Sequence, residues 1–476
     1  MTAAEPSVRR EAALPALRLD ASGRRHIDMR ALAVLALPLV LNSTVQAGLN
    51  LTDTWFVGRI STAATAAIAS IHWLALLAVF LIGGVAMGVQ TLAAQAFGAG
   101  RYRRATRVAW LGLWASALSL PAFGLTIAFG PAMIRAFGLA PDVEALAIEY
   151  WIPRMIGGPL AAALWAACAF FNGIGRTRIT LAIGLVVLAS NTALNEVFIF
   201  RLGWGMSGAA WATTVAELIG VLLAIRMILS LESRRFAPHL TWRPDLRRIV
   251  ALVALSLPMA MTASADLGAA ALFQLMMVQF GVVDGAATQI VTIFTSLAYM
   301  PGIGLALAGT TLVGQAIGAG DHGWAERLGN RVIAIVACYM GGIGIVIALV
   351  GDWLVPLFVN AADPRAAEVI ALCSSLLWLA AAYQFFDGVN FASAFCLRGA
   401  GDARVPALIV LACGTLVFLP LTHFLTFAPG EGWFAGAPGL GLGATGGWSA
   451  ILVYVLLIGT ALWLRWKNGA WKRIRL

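Results

Sequence analysis

Gln95-Ala-Phe-Gly-Ala-Gly100 returns at a shift of 220 as Gln315-Ala-Ile-Gly-Ala-Gly320, and this repeat is the strongest indication of the fold. The same shift relates Pro38 to Pro258. Two weaker echoes follow at shifts of 226 and 237: Asn172-Gly-Ile-Gly-Arg176 with Arg398-Gly-Ala-Gly-Asp402, and Gly208-Ala-Ala-Trp211 with Thr445-Gly-Gly-Trp448. The two halves of the chain therefore share one plan, which is typical of transporters built from internal repeats.

The composition places this plan in a membrane. Of the 476 residues, 61% are hydrophobic and only 11% are charged, whereas a soluble domain carries about 25% charged residues. This excludes an ordinary soluble enzyme and a disordered chain. The net charge of +10 is interpreted as a topology signal, so we expect a lipid bilayer and no nucleic acid as partner.

The apolar segments predict an all-α integral membrane protein with twelve transmembrane helices, since one span needs about 20 apolar residues. The predicted spans are 31–57, 62–97, 106–130, 146–173, 179–200, 206–229, 249–282, 286–318, 328–356, 368–396, 405–427 and 443–464. We expect 62–97 to be one long tilted helix. Six helices per repeat is an even number, so the two six-helix lobes should be related by a pseudo-two-fold axis along the membrane normal.

Basic residues support this count. With both termini cytoplasmic, 27 Lys and Arg fall on the cytoplasmic side and five on the other, in agreement with the positive-inside rule. The five are Arg59, Arg135, Arg154, Arg201 and Arg365. The predicted divisions are a cytoplasmic basic tail (1–30), an N-lobe (31–230), a cytoplasmic loop (231–248), a C-lobe (249–464) and a second cytoplasmic basic tail (465–476).

Acidic residues inside the spans are the candidate functional groups, because a carboxylate at a span centre costs roughly 2.5–3.5 kcal/mol. Asp266 and Asp387 lie well inside their spans. With no Lys or Arg expected inside the spans, each should be protonated, face a wet cavity or bind a mobile cation. Asp53 and Glu196 lie nearer the outer ends, and Glu217 is interior to the sixth span.

Neutral polar side chains accompany these acids at helical spacing. Tyr383 is one turn before Asp387, and Asn191 is one turn before Asn195, so each pair shares a helix face. These groups can supply oxygen ligands to a cation or hydrogen bonds to a carboxyl group. The chain has no Walker sequence, no nucleophile paired with a base and no clustered His set, so we expect neither an enzyme nor a cofactor.

Several stretches together resemble the multidrug and toxic compound extrusion (MATE) family, and its NorM-type branch most closely. They are Leu51-Thr-Asp-Thr-Trp-Phe-Val-Gly58, the repeated Gln-Ala-x-Gly-Ala-Gly, Asn191-xxx-Asn195, Pro258 with Asp266 eight residues later, and Tyr383-Gln-Phe-Phe-Asp387. The resemblance covers about residues 30 to 465. It implies two lobes around a central cleft and export of organic cations in exchange for H⁺ or Na⁺. We further expect a monomer in the bacterial inner membrane.

The resemblance also implies roles for single residues. Asp53 would be the N-lobe carboxylate, with Asn191 and Asn195 beside it. A C-lobe cation site would be formed by Asp266, Tyr383 and Asp387, which would be the metal ligands if Na⁺ is the coupling ion.

Two positions depart from what the related branches carry. NorM-type proteins usually carry Glu at the position of Asp266, which leaves H⁺ coupling at least as well supported as Na⁺. The DinF-type branch usually has Asp at the position of Asn195; here the adjacent acid is Glu196, and both Glu196 and Glu217 stay secondary candidates.

Three alternatives stay open at this point. A lipid-linked precursor or polysaccharide flippase of the same wider superfamily would need an Arg-lined cleft, and the expected lack of basic residues inside the spans argues against it. A membrane enzyme would need clustered His or paired acids near one face. Central acids and a two-lobe repeat fit an alternating-access transporter better than they fit a channel.

Overall fold

The computed structural model describes residues 14–359, 364–433, 436 and 438–474. Within them, twelve helical segments are long and apolar enough to cross a membrane, which confirms the all-α, twelve-span prediction. They are α1 (Met29–Gly58), α2 (Thr62–Gly83, continued by Val85–Gly98), α3 (Tyr102–Leu118, continued by Leu120–Arg135), α4 (Pro141–Gly173), α5 (Thr177–Asn195, continued by a π-helical turn at Glu196–Arg201), α6 (Gly205–Leu229), α7 (Leu246–Phe280), α8 (Val282–Gly318), α9 (His322–Leu354), α10 (Ala366–Ala400), α11 (Arg404–Cys413, continued through a π-helical turn at Gly414–Phe418 to Leu419–Thr426) and α12 (Gly443–Lys467). Residues 1–13 of the predicted N-terminal tail and 475–476 of the C-terminal tail lie outside the described residues.

Side-chain caps begin several of these helices. The carboxylates of Asp28, Asp245 and Asp321 accept hydrogen bonds from backbone N–H groups in the first turns of α1, α7 and α9, and the Ser61 hydroxyl does the same for α2. Each cap satisfies a donor that has no partner inside the helix. These four residues therefore fix where four spans start.

The second span differs from the expectation of one continuous helix, because a turn at Gly84 divides it. A Cβ on Gly83 would lie 2.9 Å from the Cβ of Ala162 in α4, and a Cβ on Gly84 would overlap Ala260 in α7. Two adjacent glycines thus let α2 pass closely between its neighbours and bend there, as paired small residues often allow. The number of spans is unaffected.

The first turns of α1 and α7 pack in exchanged positions. Leu32 and Ala36 of α1 belong to the buried apolar core formed by α8, α9 and α10. Ile249 and Leu252 of α7 belong to the core formed by α2 to α6. Leu32 and Leu252 are related by the same shift of 220, so the exchange follows the internal repeat.

Contact between the lobes concentrates at one end of the molecule, which we call the basic end. It carries the loops 99–101, 174–176, 230–245, 319–321 and 401–403. Here the repeated string packs against itself: a Cβ on Gly98 would overlap the backbone oxygen of Gln315, and a Cβ on Gly318 would overlap the backbone oxygen of Gln95. Only glycine allows two helix backbones to approach this closely.

The glutamines of the repeated string hold this contact from both sides. Gln95 donates from Nε2 to the carbonyl of Gly399 in the C-lobe at 3.0 Å. Gln315 donates to the carbonyl of Gly173 in the N-lobe at 2.9 Å. Gly173 and Gly399 are related by the shift of 226, so the two hydrogen bonds are equivalent.

Two threonines repeat the pattern one turn further from the basic end. The Thr91 hydroxyl donates to the carbonyl of Arg398 at 2.9 Å, and the Thr311 hydroxyl donates to the carbonyl of Asn172 at 3.0 Å. We call these four hydrogen bonds and the two glycine contacts the lobe junction. Among the described residues, the hydrogen bonds between the lobes all lie between the level of Val85, near the middle of the second span, and the basic end.

A short β-hairpin precedes α1 and rests on the C-lobe. Its strands, Leu17–Leu19 and Arg25–Ile27, pair antiparallel. Arg25 forms a 2.8 Å ion pair with Asp321, and the Trp324 indole donates to the carbonyl of Pro15. In the hairpin turn, hydrogen bonds from the Ser22 hydroxyl and the Arg24 backbone lower the pKa of Asp20 from 3.8 to about 2.

The lobe junction predicts the effect of one methyl group. Gly98→Ala should destabilise the folded protein by about 1–3 kcal/mol, because the added Cβ meets backbone that cannot rotate away. Gly342→Ala is the matched control, since a Cβ there meets no atom within 4 Å. Thermal unfolding in detergent measures both, and equal stabilities of the two variants would contradict the proposed tightness of the junction.

Candidate functional site

The N-lobe brings Asp53, Asn195 and Thr213 together from α1, α5 and α6. Asn195 donates from Nδ2 to Oδ1 of Asp53 at 2.7 Å, and the Thr213 hydroxyl lies 3.3 Å from Oδ2. Asn195 is fully buried, whereas Asp53 is half-buried. Oδ1 therefore has its own donor, whereas Oδ2 shares the single Thr213 hydroxyl proton with the carbonyl of Ala209, 3.2 Å from that hydroxyl, and the carboxylate keeps partial access to its surroundings.

Asn191 completes this network one helical turn along α5. Its Oδ1 accepts from Asn195 at 3.0 Å, and its Nδ2 donates to the Thr213 hydroxyl at 3.2 Å. Asn195 uses its amide nitrogen for both of its bonds, which leaves its buried Oδ1 without a hydrogen-bond partner among the described residues. An unsatisfied carbonyl oxygen beside a carboxylate can accept a proton-bearing group or coordinate a cation.

Glu217 of the same lobe has a charged partner that the sequence interpretation did not expect. Oε2 of Glu217 lies 3.0 Å from a guanidinium nitrogen of Arg154 on α4. Arg154 lies in the interior of α4, well after its first residue Pro141. Counting it among the basic residues of the outer side was therefore wrong, as was the expectation that the spans hold no basic residue, although the predicted span 146–173 already contained it.

Glu196, the other secondary candidate, does not join the cluster. It begins the π-helical turn after α5, its side chain is exposed, and it makes no hydrogen bond or ion pair within the described part of the chain. Its neighbour Asn195 instead points to Asp53.

In the C-lobe, Asp387 is 7% exposed and accepts a 3.2 Å hydrogen bond from Nδ2 of Asn390. Tyr383, one turn earlier on α10, packs its ring on Trp448 of α12 with centroids 5.8 Å apart. Asp387 lies within electrostatic range of both Tyr383 and Asp266. The three residues predicted for the C-lobe are therefore gathered in one region.

Asp266 itself is half-buried on α7, and none of the described residues donates a hydrogen bond to it. The cation within its electrostatic range is Arg398. Arg398 was expected in a loop, but α10 continues to Ala400 and places Arg398 in the last turn, with its guanidinium 4.5 Å from the Phe395 ring. No ion pair with Asp266 forms within the described residues.

The structure adds three residues to those inferred from sequence. Asn390 follows Asp387 by three residues and Thr213 precedes Glu217 by four, so helical spacing could have indicated both. Arg154 lies inside the predicted span 146–173, so its position in the sequence already indicated a basic residue within that span.

A model of one known family, described as MatE, matches residues 38–197 and 258–424. The two matched segments cover more than half of the chain, and their first residues, 38 and 258, are related by the shift of the internal repeat.

Similar proteins from bacteria cover nearly the whole chain. A probable multidrug resistance protein NorM of Agrobacterium fabrum is 30% identical over 89% of this chain and 93% of its own length. A probable multidrug resistance protein NorM of Rhizobium meliloti is 30% identical over 92% of each chain.

Solved structures show the same fold at low sequence identity. An outward-facing multidrug resistance MATE family transporter of the MOP superfamily has a TM-score of 0.81 at 19% identity, covering 93% of this chain and 96% of its own. A MOP superfamily transporter from Pyrococcus furiosus, described as having a binding pocket of reversed polarity, has a TM-score of 0.79 at 18% identity with the same coverage.

The N-lobe geometry predicts how Asn195 contributes to stability. Asn195→Leu keeps a similar volume but removes the donor to Asp53, which should cost about 2 kcal/mol, since hydrogen bonds to charged groups contribute about 1.5–3 kcal/mol. The loss should shrink in acid, where a protonated Asp53 needs the donor less. Asn50→Leu, at an exposed position of α1, is the control, and thermal unfolding at several pH values measures both. A loss that does not vary with pH would contradict the assigned hydrogen bond to an ionised carboxylate.

Proposed function

The chain belongs to the MatE family of multidrug efflux transporters, in its NorM-type branch, and from this premise we propose that it exports organic cations in exchange for H⁺ or Na⁺. It is a multi-pass bacterial membrane protein and a transporter, not an enzyme.

We assign the basic end, together with both termini, to the cytoplasmic face of the bacterial inner membrane. The excess of Lys and Arg at that end supports the assignment. With this orientation, the lobe junction closes the cytoplasmic side, and the two lobes can separate toward the outside. Alternating access then requires the junction to break and the outer halves of the lobes to meet.

One observation carries the preference for cations: in the described part of the chain, each lobe holds at least one carboxyl group inside its spans that forms no ion pair with a basic residue. Asp53 is bound by neutral amide and hydroxyl groups, and Asp387 by an amide. Asp266 has no ion-pair partner within the described residues. Partly desolvated carboxylates attract a lipophilic cation more strongly than the same groups would in water.

Transport follows from competition for these carboxyl groups. A cation from the cytoplasm binds when the basic end is open, and H⁺ or Na⁺ from outside displaces it when the opposite end is open. Exchange of one H⁺ or Na⁺ for one monovalent drug cation moves no net charge, so the membrane potential cancels and the concentration gradient of the coupling ion drives export. A tenfold inward gradient of that ion provides about 1.4 kcal/mol and supports a drug gradient of about tenfold.

If Na⁺ is the coupling ion, we propose that Asp266, Tyr383 and Asp387 coordinate it, since hard cations prefer oxygen ligands. If H⁺ is the ion, the same carboxyl groups take the proton. The protein is proposed to act as a monomer, with neither a cofactor nor a nucleic-acid partner.

The flippase alternative is less well supported. Recognition of a pyrophosphate group would need unpaired positive charge in the cleft. Arg154, the basic residue deepest in the N-lobe, is paired with Glu217, and Arg398 lies at the basic end of α10. Three carboxyl groups inside the spans, those of Asp53, Asp266 and Asp387, by contrast form no ion pair within the described residues.

The test uses purified protein in liposomes and ethidium as the cationic probe. An imposed pH gradient should move ethidium if H⁺ is the coupling ion, and an imposed Na⁺ gradient should move it if Na⁺ is. Absence of movement under both gradients, in liposomes shown to be intact, would contradict export of this class of cation.

Asp387→Asn should reduce ethidium transport to the level of protein-free liposomes, because a neutral amide binds neither a proton nor a cation strongly. Glu368→Gln is the matched control: it also replaces a carboxyl group by an amide, at an exposed position of the same helix, and should transport as the unmodified protein does. Full transport by Asp387→Asn would show that the coupling site lies elsewhere.

A further inference from the structure

The Arg154–Glu217 pair is unusual for its depth. Glu217 lies at the centre of α6 (Gly205–Leu229), and so at the middle of the span. The two side chains are 13% and 8% exposed, and among the ion pairs of the described residues this is the only one in which neither side chain exceeds 13%. The pair therefore lies at a depth where burying a charged side chain costs free energy.

Such a pair contributes little net stability, because desolvation of both ions offsets most of their mutual attraction. An apolar pair of similar volume would hold α4 and α6 together at least as well. Ionisable residues at membrane depth are retained for function more often than for folding. The position of the pair relative to Asp53 indicates what this function is.

Helix α6 connects the pair to Asp53 directly. Thr213, which contacts Oδ2 of Asp53, is one helical turn from Glu217 on the same face. On α4, Tyr150 is one turn from Arg154. Among the described residues, the ionisable groups within electrostatic range of Asp53 are Arg154 and Tyr150 of α4 and Glu217 of α6, and His72 of α2 lies within electrostatic range of Arg154.

We propose that Arg154 and Glu217 are positioning residues that set how tightly Asp53 holds its cation. The proposal rests on the proposed function, in which Asp53 binds a drug cation or the coupling ion. The Arg154 guanidinium favours the ionised form of Asp53, and Glu217 limits this effect by holding Arg154 in a neutral pair. The pair thus keeps Asp53 ionised enough to bind a cation, and it limits how strongly the Arg154 charge competes with that cation.

The sign of each charge gives an expectation for each variant. Glu217→Gln leaves Arg154 without its counter-ion, so Asp53 becomes the nearest carboxylate to compensate it, and protons should displace a bound dye only at lower pH. Arg154→Gln removes the positive charge, so protons should displace the dye at higher pH. Arg154→Gln/Glu217→Gln removes both charges and should lie close to the unmodified protein.

The experiment measures equilibrium binding of ethidium to purified full-length protein by fluorescence anisotropy across pH 5–9. We expect the pH of half-maximal binding to fall by about one unit in Glu217→Gln and to rise by about one unit in Arg154→Gln, the order expected for one nearby charge. Glu196→Gln, which changes an exposed glutamate in the π-helical turn that continues α5, is the matched control. Its pH of half-maximal binding should not shift. Repeating the series in an Asp53→Asn background should abolish both shifts, since coupling between two sites is seen only when both are present.

If the pair had a purely structural role, the pH of half-maximal binding would move in the same direction in both single variants, or in neither. The effect would also be equal in the Asp53→Asn background. Either result would overturn the proposal. If Glu217→Gln does not fold, a rise in Arg154→Gln that the double variant reverses supports the proposal, and its absence contradicts it. If unmodified protein neither binds nor transports ethidium, the proposed function fails instead, so the two failures are distinguishable.

Discussion

The contact between two stretches of helix backbone at Gly98 and Gly318 is the constraint on which the arrangement of the lobes depends. Each glycine meets the backbone oxygen of the other lobe's glutamine, and each glutamine side chain reaches across to a carbonyl at the end of a helix in the opposite lobe. Helix ends leave carbonyls without partners. The junction therefore satisfies polar groups at the same point where it brings the lobes together.

The hydrogen bonds of this junction are compatible with a reversible motion because they are polar and repeated. In the proposed alternating access, water can replace these side-chain hydrogen bonds to carbonyls. The exchanged first turns of α1 and α7 add the part that must rearrange: Leu32 and Leu252 each lie in the core of the other lobe.

The internal repeat governs the fold and the junction, but the acidic residues do not follow it. The shift that relates the two glutamines takes Asp53 to Phe273 and takes Asp266 back to Gln46. Each lobe therefore has its own set of carboxyl groups at non-equivalent places. Among the described residues, a buried ion pair at span depth occurs in the N-lobe alone, which makes the two lobes electrically different although they are structurally alike.

The sequence was sufficient for the features that depend on local pattern. Twelve apolar runs, the repeated Gln-Ala-x-Gly-Ala-Gly and the isolated acids predicted the spans and the candidate carboxylates. Pairings between distant helices could not be predicted from local pattern, because Glu217 and Arg154 belong to different helices that are far apart in the chain. Arg154 also agreed with the positive-inside count as an outer residue, although it lies inside a helix. The bend at Gly84 likewise depends on Ala260, which no local pattern connects to it.

The central claim, that the lobes join at the basic end and separate at the other, is tested most directly by distances at both ends. Spin labels at Arg103 and Gly323 report on the basic end, and labels at Arg59 and Val282 on the opposite end, in protein whose five cysteines have been replaced. We expect reciprocal changes between two populations as pH or Na⁺ is varied, with one distance lengthening as the other shortens. Distances that lengthen or shorten together would contradict it.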